Sequence, residues 1–147
     1  MGAGSVRRIL AVKLNGPWLV LLNEAWNVES RNGDIDTPFA RSRLALLPLL
    51  ERPRQEVESQ ASQALGPSDP SVAEALLAIV ECGLMGPSEY WLSRALSWMT
   101  PDEVGLLAGQ LNEIATGHQG SQTTQHTAKR LLKQNGLWQS ARRAFDS

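Results

Sequence analysis

The chain has 147 residues, of which 42% are hydrophobic and 20% charged, and this composition excludes wholesale disorder. The net charge of −1 excludes a global field that would attract nucleic acid or an anionic membrane. The single cysteine, Cys82, excludes an intramolecular disulfide framework and a multi-cysteine zinc site. No Asn-x-Ser/Thr glycosylation acceptor is present, and no export signal is recognisable near the N-terminus. A cytoplasmic location is therefore expected.

The N-terminal stretch is the most ambiguous part of the pattern. Residues 1–5 are expected to form a flexible tail, and residues 6–147 a single domain. Residues 6–14 fit a strand by their β-branched content, or a helix by apolar residues at positions 6, 10 and 14; helix is favoured because the following pattern is helical. After the break at Asn15-Gly16 comes an apolar set with helical spacing, which predicts another helix: Trp18, Leu19, Leu22, Ala25 and Trp26.

Further helices are expected from Pro38, from Pro53 and from Pro87, with Pro48 dividing the first of them. Between residues 68 and 83 the chain is apolar on nearly every side, which predicts a central buried helix. Asp69 is its expected cap, and Gly83 its expected stop.

The prolines at these helix starts give the chain an apparent period. Taken two at a time, the predicted helices repeat every 31 to 34 residues, which is similar to stacked helical hairpins of the HEAT or tetratricopeptide type. The resemblance is one of period only. The expected fold is therefore all-α, either an irregular bundle of seven or eight helices or a short HEAT-like α-solenoid.

The C-terminal third predicts a helical hairpin over residues 101–138. Thr100 and Glu103 have the spacing of a capping box, and Pro101 fits the first turn between them. A glycine-rich loop follows, and then a polar helix from Ser121 to Gln134. Residues 118–147 carry five basic side chains and one acidic side chain, so this end of the chain is positively charged.

The second helix of this hairpin resembles the recognition helix of winged helix-turn-helix regulators. The likeness lies in the Ser121-Gln122-Thr123-Thr124 opening and in the closing Leu132 and Gly136-Leu137; the polar Gln125 and Lys129 depart from the pattern. The resemblance implies two sets of DNA-binding side chains. The base-facing set is Gln122, Thr123, Gln125 and His126. The phosphate-binding set is Lys129, Arg130 and Lys133.

No arrangement of residues supports catalysis. Cys82 at the end of an apolar helix is expected to be a buried, inert thiol. Glu113, His118 and His126 match no metal-ligand spacing, so no metal and no cofactor is expected. The glycines occur singly at helix ends and form no phosphate-binding loop. The chain is therefore expected not to be an enzyme.

The leading functional hypothesis is a binding module whose contact surface is the basic C-terminal end. Trp138 and the two arginines that follow it, Arg142 and Arg143, extend this surface beyond the polar helix. Tryptophan and arginine are frequent at interface hot spots, whereas Trp18, Trp26, Trp91 and Trp98 are expected to fill the core. The expected partner is a protein with an acidic surface. The alternative is a nucleic acid bound by the hairpin 101–136.

Overall fold

The computed structural model describes residues 6–86, 88–117 and 120–138. The expected N-terminal tail and residues 139–147 lie outside these residues. The described chain divides into two compact units, the first ending at residue 82 and the second beginning at residue 83. The first unit contains a four-stranded antiparallel sheet, so the protein is mixed α/β, and the all-α prediction is wrong in both forms, bundle and α-solenoid.

The sheet is a meander in which every strand pairs with its neighbour in sequence. The strands are β1 (Val6–Ala11), β2 (Trp18–Leu22), β3 (Ala25–Glu29) and β4 (Ile35–Asp36). Residues 6–14, for which a helix was favoured, thus begin with a strand. The helix expected over residues 18–26 is instead a hairpin whose turn is Asn23-Glu24.

One face of the sheet forms the core of this unit. Leu19 pairs with Val28, and Leu21 with Trp26, and all four side chains are at most 9% exposed. The residues that suggested an apolar helical face belong to two paired strands, where side chains alternate between faces. Val20 on the opposite face is also buried, so β2 shows no polar alternation. Without alternation, a short apolar run does not distinguish strand from helix.

The helical segments of the first unit follow the sheet. Helix α1 (Phe39–Ser42) leads into a 3-10 helix at Arg43–Glu51, and α2 (Arg54–Ala64) packs against β1. The 3-10 geometry runs through Pro48, which supplies no backbone donor, so the expected division of an α-helix at Pro48 is replaced by a change of helix type. The predicted α2 is confirmed, with Val57 and Ala61 as its buried residues.

Helix α3 (Val72–Met85) corresponds to the predicted central helix but differs from it at both ends. It begins after Ser71, whose Oγ accepts from the N–H of Ala73 at 3.1 Å, and it continues past Gly83. Asp69 caps nothing in α3, because its carboxylate accepts from Arg7 at 2.8 Å and from the N–H of Gly66 at 2.7 Å. The helix is also buried on one side only. The buried residues are Ala75, Leu76, Ile79, Val80, Gly83 and Leu84.

The described part of the second unit contains four helices after the end of α3: α4 (Glu89–Trp98), α5 (Pro101–Leu106), α6 (Ala108–Ala115) and α7 (Gln122–Gln134). The Thr100–Glu103 capping box is confirmed, with both of its hydrogen bonds at 3.2 Å. The single helix expected after Thr100 is interrupted at Leu107, whose φ of −111° and ψ of 22° leave the α region. Helices α6 and α7 pack together. The buried residues of these two helices include Leu111, Ile114, Ala128 and Leu132.

Candidate functional site

The candidate binding surface is built on α7, and both ends of this helix have a local cause. At the N-terminus the Ser121 Oγ accepts from the N–H of Thr124 at 3.3 Å, as a capping serine does. At the C-terminus Gly136 has a φ of +70°, and the N–H of Leu137 donates to the carbonyl of Leu132 at 2.8 Å. This is the six-to-one bond of a Schellman motif, which ends a helix at a left-handed glycine. The helix predicted here is confirmed.

One side of α7 is polar and basic over its whole length, and we call it the basic α7 face. At 100° per residue its members span about a third of the helix circumference. They are Gln122, Thr123, His126, Lys129, Arg130 and Lys133. All of them are exposed except Lys129, which is half-buried. The opposite side carries Thr124, Ala128 and Leu132, each at most 3% exposed, and therefore belongs to the core.

The charge of this face is not neutralised within the part of the chain that the structure describes. Helix α7 itself contains no Asp or Glu. Arg130 and Lys133 make no ion pair with any residue of the described ranges. One guanidinium group and one ammonium group are therefore exposed to solvent on the same helix, where the repulsion between their like charges would be relieved by an anion.

Trp138 adjoins this face through a cation–π contact. The Nζ of Lys129 lies 5.0 Å from the centroid of the Trp138 ring, within the distance at which such a contact is attractive. Trp138 is half-buried, and the same holds for Trp18 and Trp91, whereas Trp26 and Trp98 are buried. The contact gives the basic α7 face an aromatic group held next to its cations.

Gln125 differs from the rest of the predicted set. Its side chain is half-buried, and its Nε2 donates to the carbonyl of Gly120 at 3.1 Å. The amide thus helps to hold the loop before α7. Arg142, Arg143 and His118 lie outside the described residues.

The N-terminus of α7 holds a group that sequence reasoning missed. Glu89, in the first turn of α4, accepts from the N–H of Ser121 at 2.8 Å through Oε1 and from the Ser121 hydroxyl at 2.8 Å through Oε2. The exposed amides and the dipole of a helix N-terminus favour an anion there. In this protein the anion is a carboxylate of the chain itself. Glu89 and Ser121 are 32 residues apart, and no local pattern connects them.

The remaining candidate groups do not form a reactive cluster in the described ranges. No group of three or more His, Cys, Asp or Glu side chains there could hold a metal ion. Cys82 is a half-buried free thiol, and burial raises its pKa, so its reactive thiolate form is disfavoured. Arg43 lowers that pKa in part by its charge.

Comparisons with known proteins identify no relative for this chain. No protein-family model matches it, and neither the curated proteins nor the solved structures gave a match. None of the described helices has the length and apolarity needed to cross a bilayer. Functional inference therefore depends on the surfaces of the molecule itself.

Proposed function

We propose that this chain is a non-catalytic binding module that uses the basic α7 face to bind an acidic surface of another protein. The observation that carries the proposal is the exposed pair Arg130 and Lys133, which have no counter-ion among the described residues. Complementary charge gives such a surface selectivity for acidic partners and fast association. Trp138, held beside Lys129, adds an aromatic group of the kind that often anchors interfaces.

The Glu89 carboxylate favours a protein partner over DNA. A helix-turn-helix protein inserts the N-terminal residues of its recognition helix into the major groove, between two phosphate backbones. Here a carboxylate is hydrogen-bonded to Ser121 at that same end of the helix. Phosphates approaching it would meet like charge. The sides of α7, further along the helix, are free of this repulsion.

The proposal is tested by fluorescence anisotropy with two labelled probes, a polyglutamate peptide and a random DNA duplex. The test variant is Arg130→Glu/Lys133→Glu. The matched control is Arg41→Glu/Arg94→Glu, which changes the net charge by the same amount and replaces two cations that are likewise exposed and without ion pairs among the described residues. We expect peptide binding that weakens with added salt. The α7 variant should bind at least about tenfold more weakly, equivalent to about 1.4 kcal/mol, while the control retains its affinity.

Two outcomes would contradict the proposal. Equal loss in both double variants would mean that net charge, and not the basic α7 face, determines binding. Tighter binding of the duplex than of the peptide, abolished by the α7 substitutions and steeply salt-dependent, would assign the face to nucleic acid. The cytoplasmic location expected from the sequence stays a prediction beside this proposal.

A further inference from the structure

A second charged surface lies in the first unit, in a depression of about 400 Å³. The loop between β1 and β2 forms one side of it, with Lys13 and Gly16. The turn after β3 forms another side, with Ser30 and Arg31. Arg8 and Trp18, on the paired strands β1 and β2, also line it. Sequence reasoning did not predict this site, because its residues come from two separate turns and two strands.

Backbone hydrogen bonds hold both turns. In the first, the N–H of Val12 donates to the carbonyl of Pro17 at 2.9 Å, and that of Gly16 donates to the carbonyl of Lys13 at 3.0 Å. In the second, the N–H of Ser30 donates to the carbonyl of Asp34 at 2.8 Å. A Cβ on Gly16 would lie 2.6 Å from the Cγ of Lys13, so the absence of a side chain at Gly16 lets the Lys13 stem lie across the loop. Hydrogen bonds therefore hold the backbone of both turns that line the depression.

The cations of the depression differ in their pairing. Arg8 binds the Glu29 carboxylate at 2.8 Å and lies 5.1 Å from the centroid of the Trp18 ring. Lys13 and Arg31 are exposed, and neither makes an ion pair with a described residue. The lining thus offers two cations without ion pairs among the described residues, on opposite turns, next to the cation–π contact of Arg8 with Trp18.

We propose that this depression binds a small organic phosphate, such as a nucleoside monophosphate. Lys13 and Arg31 would donate to the phosphate oxygens, since ammonium and guanidinium groups make strong charge-assisted hydrogen bonds to phosphate. The Trp18 indole, with the Arg8 guanidinium 5.1 Å from its centroid, would provide an apolar surface for the planar organic group. The volume is near the lower end of the range of about 300–1,000 Å³ that is usual for small-molecule sites. This inference does not depend on the function proposed for α7.

The test is a titration of the intact chain with adenosine 5′-monophosphate, followed by tryptophan fluorescence and by the backbone amide NMR signals of Gly16 and Ser30. Adenosine and inorganic phosphate are titrated separately, to divide the affinity between the planar group and the phosphate. We expect the monophosphate to bind more tightly than either fragment. Lys13→Gln and Arg31→Gln should each weaken its binding about tenfold, which corresponds to about 1.4 kcal/mol. In Trp18→Phe the fluorescence change should be lost.

The control is Arg41→Gln, which removes an exposed arginine of the same unit that does not line the depression. Equal weakening in this control would overturn the proposal, because binding would then reflect charge alone. Adenosine binding as tightly as its monophosphate would also overturn it. The proposal would also be overturned if a single-stranded oligonucleotide bound far more tightly than the mononucleotide and the same variants abolished that binding. The site would then serve a nucleic acid. Absence of binding at millimolar monophosphate would likewise overturn the proposal.

Discussion

Replacing Glu24 by glycine tests the β2–β3 hairpin directly. Asn23 and Glu24 have φ values of +53° and +66°, which two-residue hairpin turns of type I′ require at both central positions. Asparagine tolerates this conformation, but for Glu24 the left-handed region costs about 1–2 kcal/mol. Glycine removes that cost, but the larger backbone entropy that it loses on folding destabilises the protein by about 0.5–1 kcal/mol. Glu24→Gly should therefore stabilise the protein by roughly 0.5–1 kcal/mol.

The sign of this effect separates the hairpin from the helix that the apolar spacing favours. In a helix, glycine would be about 1 kcal/mol less favourable than alanine or glutamate. In the hairpin, Glu24→Ala keeps a side chain at positive φ and gains nothing, so glycine should be the more stable of the two variants. The hairpin and the helix therefore predict opposite orders of stability for the glycine and alanine variants.

The assay is thermal unfolding of the wild type and both variants under identical conditions. For a chain of this size, 1 kcal/mol shifts the Tm by about 2–4 °C, so the glycine variant should unfold about 1–4 °C higher than the wild type. Substitution at Glu24, which is exposed, removes no buried contact, and the backbone effect is therefore isolated. A glycine variant less stable than the alanine variant would refute the turn assignment.

Two further predictions concern packing in α7 and the pH dependence of stability. Leu132→Ala should lower the free energy of unfolding by about 2–5 kcal/mol, because Leu132 is fully buried. Leu131→Ala, at a half-buried neighbour, should lower it clearly less. Equal losses in denaturant unfolding would mean that the buried side of α7 is misassigned. The hydrogen bond from Arg7, followed by that from the Gly66 N–H, lowers the pKa of Asp69. The stability contributed by the ionised Asp69 carboxylate is therefore present above the unfolded-state pKa of about 4 and is lost as the pH falls through the lower folded-state pKa. The stability difference between wild type and Asp69→Asn should accordingly shrink in urea unfolding on going from pH 7 to pH 2, and a difference that is constant with pH would contradict the pairing.

The second unit was largely predictable because its signals are local. A capping box needs only Thr100 and Glu103, three residues apart, and the ends of α7 are set by Ser121 and Gly136. The period of α7 separates its core side from its charged side without knowledge of what it packs against. The break at Leu107 was not predicted, because the apolar spacing of the stretch continues through it, although Gly105 and Gly109 flank it.

The sheet escaped prediction for physical reasons that lie in β2 and its turn. Every residue of β2, Trp18–Leu22, is apolar, and both faces of the strand are covered at its centre, so the alternation that marks a strand is missing. The turn has Asn23-Glu24 in place of Asn-Gly, the usual hairpin signal. The depression between the two turns depends on the sheet and was therefore out of reach as well.

The basic α7 face was predictable from the sequence, but the Glu89 carboxylate at the N-terminus of α7, on which the proposed choice of partner depends, was not. Sequence periodicity alone leaves a cationic helix with an open N-terminus, which suits a phosphate as well as a carboxylate. The hydrogen bonds of Glu89 to Ser121 close that end with a negative charge and leave Arg130 and Lys133 on the side of the helix. In the complex proposed above, the partner would approach along α7 and present its anions there, with an apolar group for Trp138. Acidic protein surfaces combine these features, whereas a duplex would bring phosphates towards the carboxylate.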